Sequence, residues 1–78
     1  MPIAPLALLE ASIGSEITVI MRGDRELRGV LAGYDDYVNL VLENVKELDS
    51  VGSLIDETSS MLLNGNNIVG ISPGHSSE

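Results

Sequence analysis

Over residues 16–72 the apolar side chains recur with a period of two, in runs broken by turn residues. That pattern favours strands over helices for most of the chain. Ile17, Val19 and Met21 alternate with Thr18, Ile20 and Arg22. A turn at 22–25 leads to a second strand over about 26–34. A third strand is expected over about 37–48, a fourth over about 57–63 and a fifth over about 67–72. Between them lie Asp35-Asp36, a polar loop at 49–56, and Asn64-Gly65-Asn66. Val38, Leu40 and Leu42 are expected on one face of the third strand, with Val41 and Val45 on the other. Gly29, Gly33 and Gly70 fall inside runs, where glycine usually marks a bend. The expected fold is therefore all-β: a strongly bent five-stranded antiparallel sheet forming a small open barrel. A short helix over about 5–13 precedes it. Leu6, Leu9 and Ile13 form its stripe, Pro5 suits its first turn and Gly14 its end.

The chain has 78 residues, which makes a single domain over 1–78 with a short polar tail at 73–78. A core this small is marginal and often needs support. There is no cysteine, and the one histidine, His75, lies in the tail. Disulfides are excluded, and no metal or other cofactor is expected. Support must then come from association, which apolar sheet edges invite. No apolar run approaches the length of a membrane span, and nothing at the N-terminus reads as a signal peptide. The net charge is −8, from four basic and twelve acidic residues. Arg22, Arg25, Arg28 and Lys46 are too few for a broad phosphate-binding surface. Any nucleic acid must be held by local base contacts, or by basic neighbours in an assembly.

Two segments carry candidate chemistry. Residues 29–39 read Gly-Val-Leu-Ala-Gly-Tyr-Asp-Asp-Tyr-Val-Asn, and residues 63–68 read Leu-Asn-Gly-Asn-Asn-Ile. In an extended strand, Tyr37 and Asn39 would share a face. A stacking ring and a donor–acceptor amide side by side are what reading one unpaired base requires. Each residue also has an ordinary explanation. Tyrosine favours strands, asparagine near a turn bonds its own backbone, and Asn-Gly is a hairpin turn signal. Asp35 could orient the Asn39 amide or bond nearby backbone N–H groups. Glu43, Glu47, Asp49, Asp56 and Glu57 are expected as solvated surface, and Met61 and the leucines as core.

The chain resembles the Sm and Sm-like (LSm) proteins from the N-terminal helix to Ser72. Gly29, Leu31, Asp35 and Asn39 meet the first family motif, with Val38 in the methionine place. Leu63, Gly65, Asn66, Asn67 and Ile68 meet the second. Asn64 stands where most members have arginine, and Gly23-Asp24 replaces the more usual Asp-Gly. The phrases at 13–15 and 61–68 are similar to those of one eukaryotic paralogue group. The resemblance implies a subunit of a seven-membered ring built with other LSm subunits. It implies uridine-rich RNA as ligand: the 3′ end of U6 small nuclear RNA in a nuclear ring, and decaying messenger RNA in a cytoplasmic one. Asp35, Tyr37, Asn39, Asn64, Gly65 and Asn66 are then the RNA-facing residues. The fifth strand would pair with the fourth strand of the next subunit, with Val69 and Ile71 helping to bury that contact. The isolated chain could form a homo-oligomer.

Two other functions compete. A ring-closing subunit with little RNA contact fits the acidic charge and the missing loop arginine. A small hydrolase using Asp35 and Asp36 lacks a visible nucleophile–base pair. The expected protein is not an enzyme.

Overall fold

The structure is a computed structural model, and it describes residues 5–74. Helix α1 (Pro5–Ser12) precedes β1 (Glu16–Met21), β2 (Arg25–Tyr34), β3 (Leu40–Leu48), β4 (Leu54–Leu63) and β5 (Ile68–Pro73). A single 3-10 turn, Gly65–Asn67, joins β4 to β5. One antiparallel sheet runs in the order β4-β3-β2-β1-β5. Consecutive strands pair except the last two: β5 returns to pair with β1, so β4 and β5 form the two edges.

The bending is legible at three irregularities. β2 and β3 slip register across Gly29 and again beside Gly33, and β1 and β5 slip opposite Gly70. Each expected bend glycine thus sits at or beside a register shift. At the first shift Asn44 takes φ 54° and the chain gains a residue opposite Gly29. That bulge resets the inward–outward phase of β3. Val45, expected on the outer face, is therefore buried with Leu40 and Leu42. Ile17, Val19, Leu27 and Leu31 complete the centre of the core.

The helix covers one open end through Leu9, which is fully buried. Leu6 and Ile13 stay largely exposed, so the expected stripe narrows to Leu9 and the buried Ser12. Gly14, at φ 84°, ends the helix, and its N–H donates to the Leu31 carbonyl at 2.9 Å. The fourth strand starts earlier than expected, because Asp49 and the positive-φ Gly52 close the preceding loop within five residues. Leu54 and Leu62 on β4, expected in the core, are exposed, as is Ile55, while Met61 packs against the core. Glu47 is not simply solvated. It holds Arg25 through two bonds of 2.9 and 3.0 Å, and this pairing lowers its carboxyl below the ordinary range. The reading of His75 lies outside the described residues.

Gly29 is the tightest point of the bend within the core. A Cβ there would lie 3.0 Å from the Glu43 carbonyl oxygen and 3.3 Å from both Leu42 and Val45 side chains. At Gly33 nothing lies within 4 Å. Gly29→Val should destabilise the fold by about 1–3 kcal/mol, as overpacking does. Gly33→Ala should stay within about 0.5 kcal/mol of wild type. Thermal unfolding followed by circular dichroism checks the contrast, and equal melting temperatures for the two variants would refute it.

Candidate functional site

The segment joining β2 to β3 is a closed loop, not the start of a strand. The Asp35 carboxylate organises it. One oxygen, Oδ1, accepts from the backbone N–H groups of Tyr37 at 2.9 Å and Asn39 at 3.0 Å. The other, Oδ2, accepts from the Asn39 side-chain amide at 2.9 Å. The backbone closes around it, with Asp35 N–H donating to the Asn39 carbonyl and Val38 N–H to the Asp35 carbonyl. Val38 is driven to φ 64°, an uncommon conformation for a β-branched residue. This corrects the expected third strand, which begins at Leu40 rather than Tyr37. Tyr37 and Asn39 are brought together by the loop, not by strand alternation.

The second segment docks on the first. Asn39 Oδ1 accepts from the Gly65 backbone N–H at 2.8 Å. Asn64 caps the 3-10 turn by accepting from Asn66 N–H at 2.8 Å. The Asn-Gly pair is thus not a hairpin turn between paired strands. Gly65 is required by proximity rather than by a left-handed backbone. A Cβ on it would overlap the Tyr37 carbonyl oxygen and approach the Val38 carbonyl group at 3.0 Å. Only a glycine lets the two loops meet here.

Asn39 therefore spends half of its capacity on the protein. One amide N–H points to Asp35 and one lone pair accepts from Gly65. One N–H and one lone pair are left, and these two bonds fix which side of the amide carries oxygen and which nitrogen. The Tyr37 ring beside it is 81% exposed, a free flat surface. A groove of about 370 Å³ opens here, lined by Tyr37, Val38, Gly65, Asn66, Ile68 and Val69 among others. Val69 is exposed on the outer strand, whereas Ile71 packs against the core. One neighbour of the site was missed in the sequence. Arg22 donates from its backbone N–H to Asn67 and from Nε to the Asn66 carbonyl at 3.0 Å. Its place just before Gly23-Asp24 was the available signal. Asp36 is exposed, and among the described residues no group of three His, Cys, Asp or Glu side chains could hold a metal. Among the described residues no helix is long and apolar enough to cross a membrane.

A family model described as LSM domain matches residues 7–73. The LSM complex subunit lsm5 of Schizosaccharomyces pombe is 49% identical over 74 residues, covering 95% of this chain and 92% of its own. The solved structure of the Pyrococcus abyssii Sm protein in complex with a uridine heptamer matches with a TM-score of 0.86 at 30% identity. It covers 91% of this chain and 99% of that one. The P. aerophilum SmAP1 heptamer matches with a TM-score of 0.82 at 36% identity, covering 96% and 100%.

Bonds from Asn39, through its side chain first and then its backbone, lower the Asp35 carboxyl below the ordinary range, with a smaller share from Tyr37. A carboxyl lowered in the folded state stabilises it above the ordinary value and loses that effect as pH falls through the lowered one. The Tyr37, Asn39 and Gly65 amide resonances should hold steady from neutral pH and shift together only below the ordinary aspartate value of about 3.9. Asp35→Asn should abolish that joint titration. A joint midpoint at or above the ordinary value in the wild-type chain would contradict the network.

Proposed function

The chain belongs to the LSM domain family, and from that membership we propose that it is an RNA-binding subunit of a seven-membered ring. The family is one of ring-forming, RNA-binding proteins, not enzymes. The ring is hetero-oligomeric and takes uridine-rich 3′ ends. Its RNA ligands are the 3′ end of U6 small nuclear RNA, in splicing, and messenger RNA undergoing decay. The chain accordingly resides in the nucleus, with a cytoplasmic pool. The similarity to an LSM complex subunit, to a heptamer and to a uridine-bound Sm protein supports this reading.

The observation that carries it is the double anchoring of Asn39 by Asp35 and Gly65. Uracil presents an N3–H donor beside a carbonyl acceptor. The unspent lone pair of Asn39 accepts from N3–H and its unspent N–H donates to O4 or O2. Cytosine presents an acceptor at N3 beside an amino donor, the reverse order. For a base that the strand presents in one orientation, an amide fixed at both ends serves one order, whereas an amide free to rotate would serve both. The Tyr37 ring stacks on the base and adds roughly 1–3 kcal/mol. Gly65 and Asn66 line the same groove, and Asn64 holds the turn in shape.

The sheet edges support the ring. The outer edges of β4 and β5 carry the exposed Leu62 and Val69, and joining them between copies would bury both. Val69 is the exposed interface residue, and Ile71 backs the strand from the core side. A chain that only closes the ring is the second reading. It is favoured by the net charge of −8 and by Asn64 in place of arginine.

In an assembled ring, Tyr37→Ala and Asn39→Ala should each weaken oligo-uridine binding without dissociating the ring. The preference for uridine over adenosine should fall more for Asn39→Ala. Fluorescence anisotropy with the two oligomers, alongside native mass spectrometry of the ring, makes the comparison. Unchanged affinity and preference in both variants would favour the ring-closing reading. Separately, the chain should not run as a monomer: light scattering at micromolar concentration should report an oligomer, and a monodisperse monomer with a cooperative melt would count against the edge pairing.

A further inference from the structure

The four basic side chains have distinct surroundings. Arg25 is held by Glu47, with Nε–Oε2 at 2.9 Å and Nη2–Oε1 at 3.0 Å. Arg28 is held by Glu26 at 3.1 Å. Lys46 lies on β3 opposite Glu57, six residues from Leu40, or roughly 20 Å along the strand from the loop that carries Tyr37 and Asn39. Only Arg22 reaches the candidate site. Its backbone N–H donates to the Asn67 carbonyl at 2.8 Å and its Nε to the Asn66 carbonyl at 3.0 Å.

That contact sets the direction of the guanidinium. A guanidinium has five N–H donors in a planar fork. One is used on Asn66, and the four on the two terminal nitrogens have no partner among the described residues. Arg22 is exposed, and Asn66, to which it is fastened, lines the groove beside Tyr37. The end of the fork presents two parallel N–H groups, the geometry that grips a phosphate through two oxygens. The turn itself offers no cation, because residues 64–67 are asparagines and a glycine.

We infer that Arg22 is the phosphate-binding cation of this subunit, gripping a backbone phosphodiester of single-stranded RNA beside the base held at Tyr37 and Asn39. The inference rests on the proposed reading of that base site. It assigns a separate job to a separate element. The Asp35 loop selects the base, and the turn between β1 and β2 supplies the charge. An acidic chain can then hold RNA with one oriented cation, because Arg25 and Arg28 are occupied by carboxylates and Lys46 lies far along β3.

The test is a salt series of oligo-uridine binding by complete rings carrying wild-type chain, Arg22→Gln, Arg22→Lys or Asn39→Ala. One lost phosphate contact on a single strand makes the slope of log affinity against log salt shallower by about 0.7. Over a tenfold rise in salt, that is about a fivefold smaller loss of affinity than wild type. Arg22→Gln should show this shallower slope and keep the wild-type preference for uridine over adenosine. Arg22→Lys should restore the slope, since it restores the charge. A merely structural role for Arg22 in holding the turn would lower affinity at every salt concentration and leave the slope unchanged. That outcome overturns the inference, as would a wild-type slope and affinity in Arg22→Gln. If instead Asn39→Ala keeps full affinity and uridine preference, the base-site reading fails, independently of the slope seen for Arg22→Gln.

Discussion

The Asp35 carboxylate is the group on which the candidate site depends. It accepts three hydrogen bonds from Tyr37 and Asn39 within its own loop, and through Asn39 it reaches Gly65 in the turn between β4 and β5. Bonds to a carboxylate are stronger than bonds between neutral groups. They hold the strained Val38 backbone and the half-buried Asn39 amide in one arrangement. Order at an exposed loop is costly in entropy. Here one charged group supplies the loop's order without burial, and the amide keeps two unspent hydrogen-bonding positions.

The sheet delivers the two loops to one place. Register shifts at Gly29, Gly33 and Gly70 bend the long strands, and the bend brings the β2–β3 loop against the β4–β5 turn. The close approach at Gly65 completes the junction. Fold and site are thus coupled through glycines used for two different reasons. Gly29 admits a neighbouring strand into the core, and Gly65 admits a neighbouring loop at the surface. The same bend leaves β4 and β5 as edges, which suits a protein that completes its sheet with other subunits.

Much of this was legible in the sequence. The period-two runs located all five strands, and the glycines inside them located the bends. Asp35, Asn39 and Gly65 were identified as one constellation from their motif places, and the structure brings them into contact. What was not legible depended on bonds that no local pattern encodes. The third strand was extended back to Tyr37 because Tyr-Val-Asn-Leu alternates acceptably. Three bonds to Asp35 outweigh that preference and turn the segment into a loop. Val45 was placed on the wrong face because a bulge at Asn44 shifts the phase of the alternation, and asparagine in mid-strand was its only sign. Asn-Gly leaves a hairpin open as one reading of the turn, since a sequence shows the turn but not that the next strand pairs elsewhere. Arg22 was counted as a charge and not as a neighbour of the site, because its partner lies 44 residues away.

The central claim is that a doubly anchored Asn39 amide reads the donor–acceptor order of a base edge. Removing the anchor tests it more directly than removing the amide. Rings carrying Asp35→Ala should be compared with wild-type rings for binding of oligo-uridine and oligo-cytidine. The amide of the variant is held by the Gly65 N–H alone, so its preference for uridine over cytidine should fall while the stacking surface of Tyr37 preserves part of the affinity. A variant that remains ring-assembled, binds both oligomers, and keeps the full wild-type preference would contradict the account.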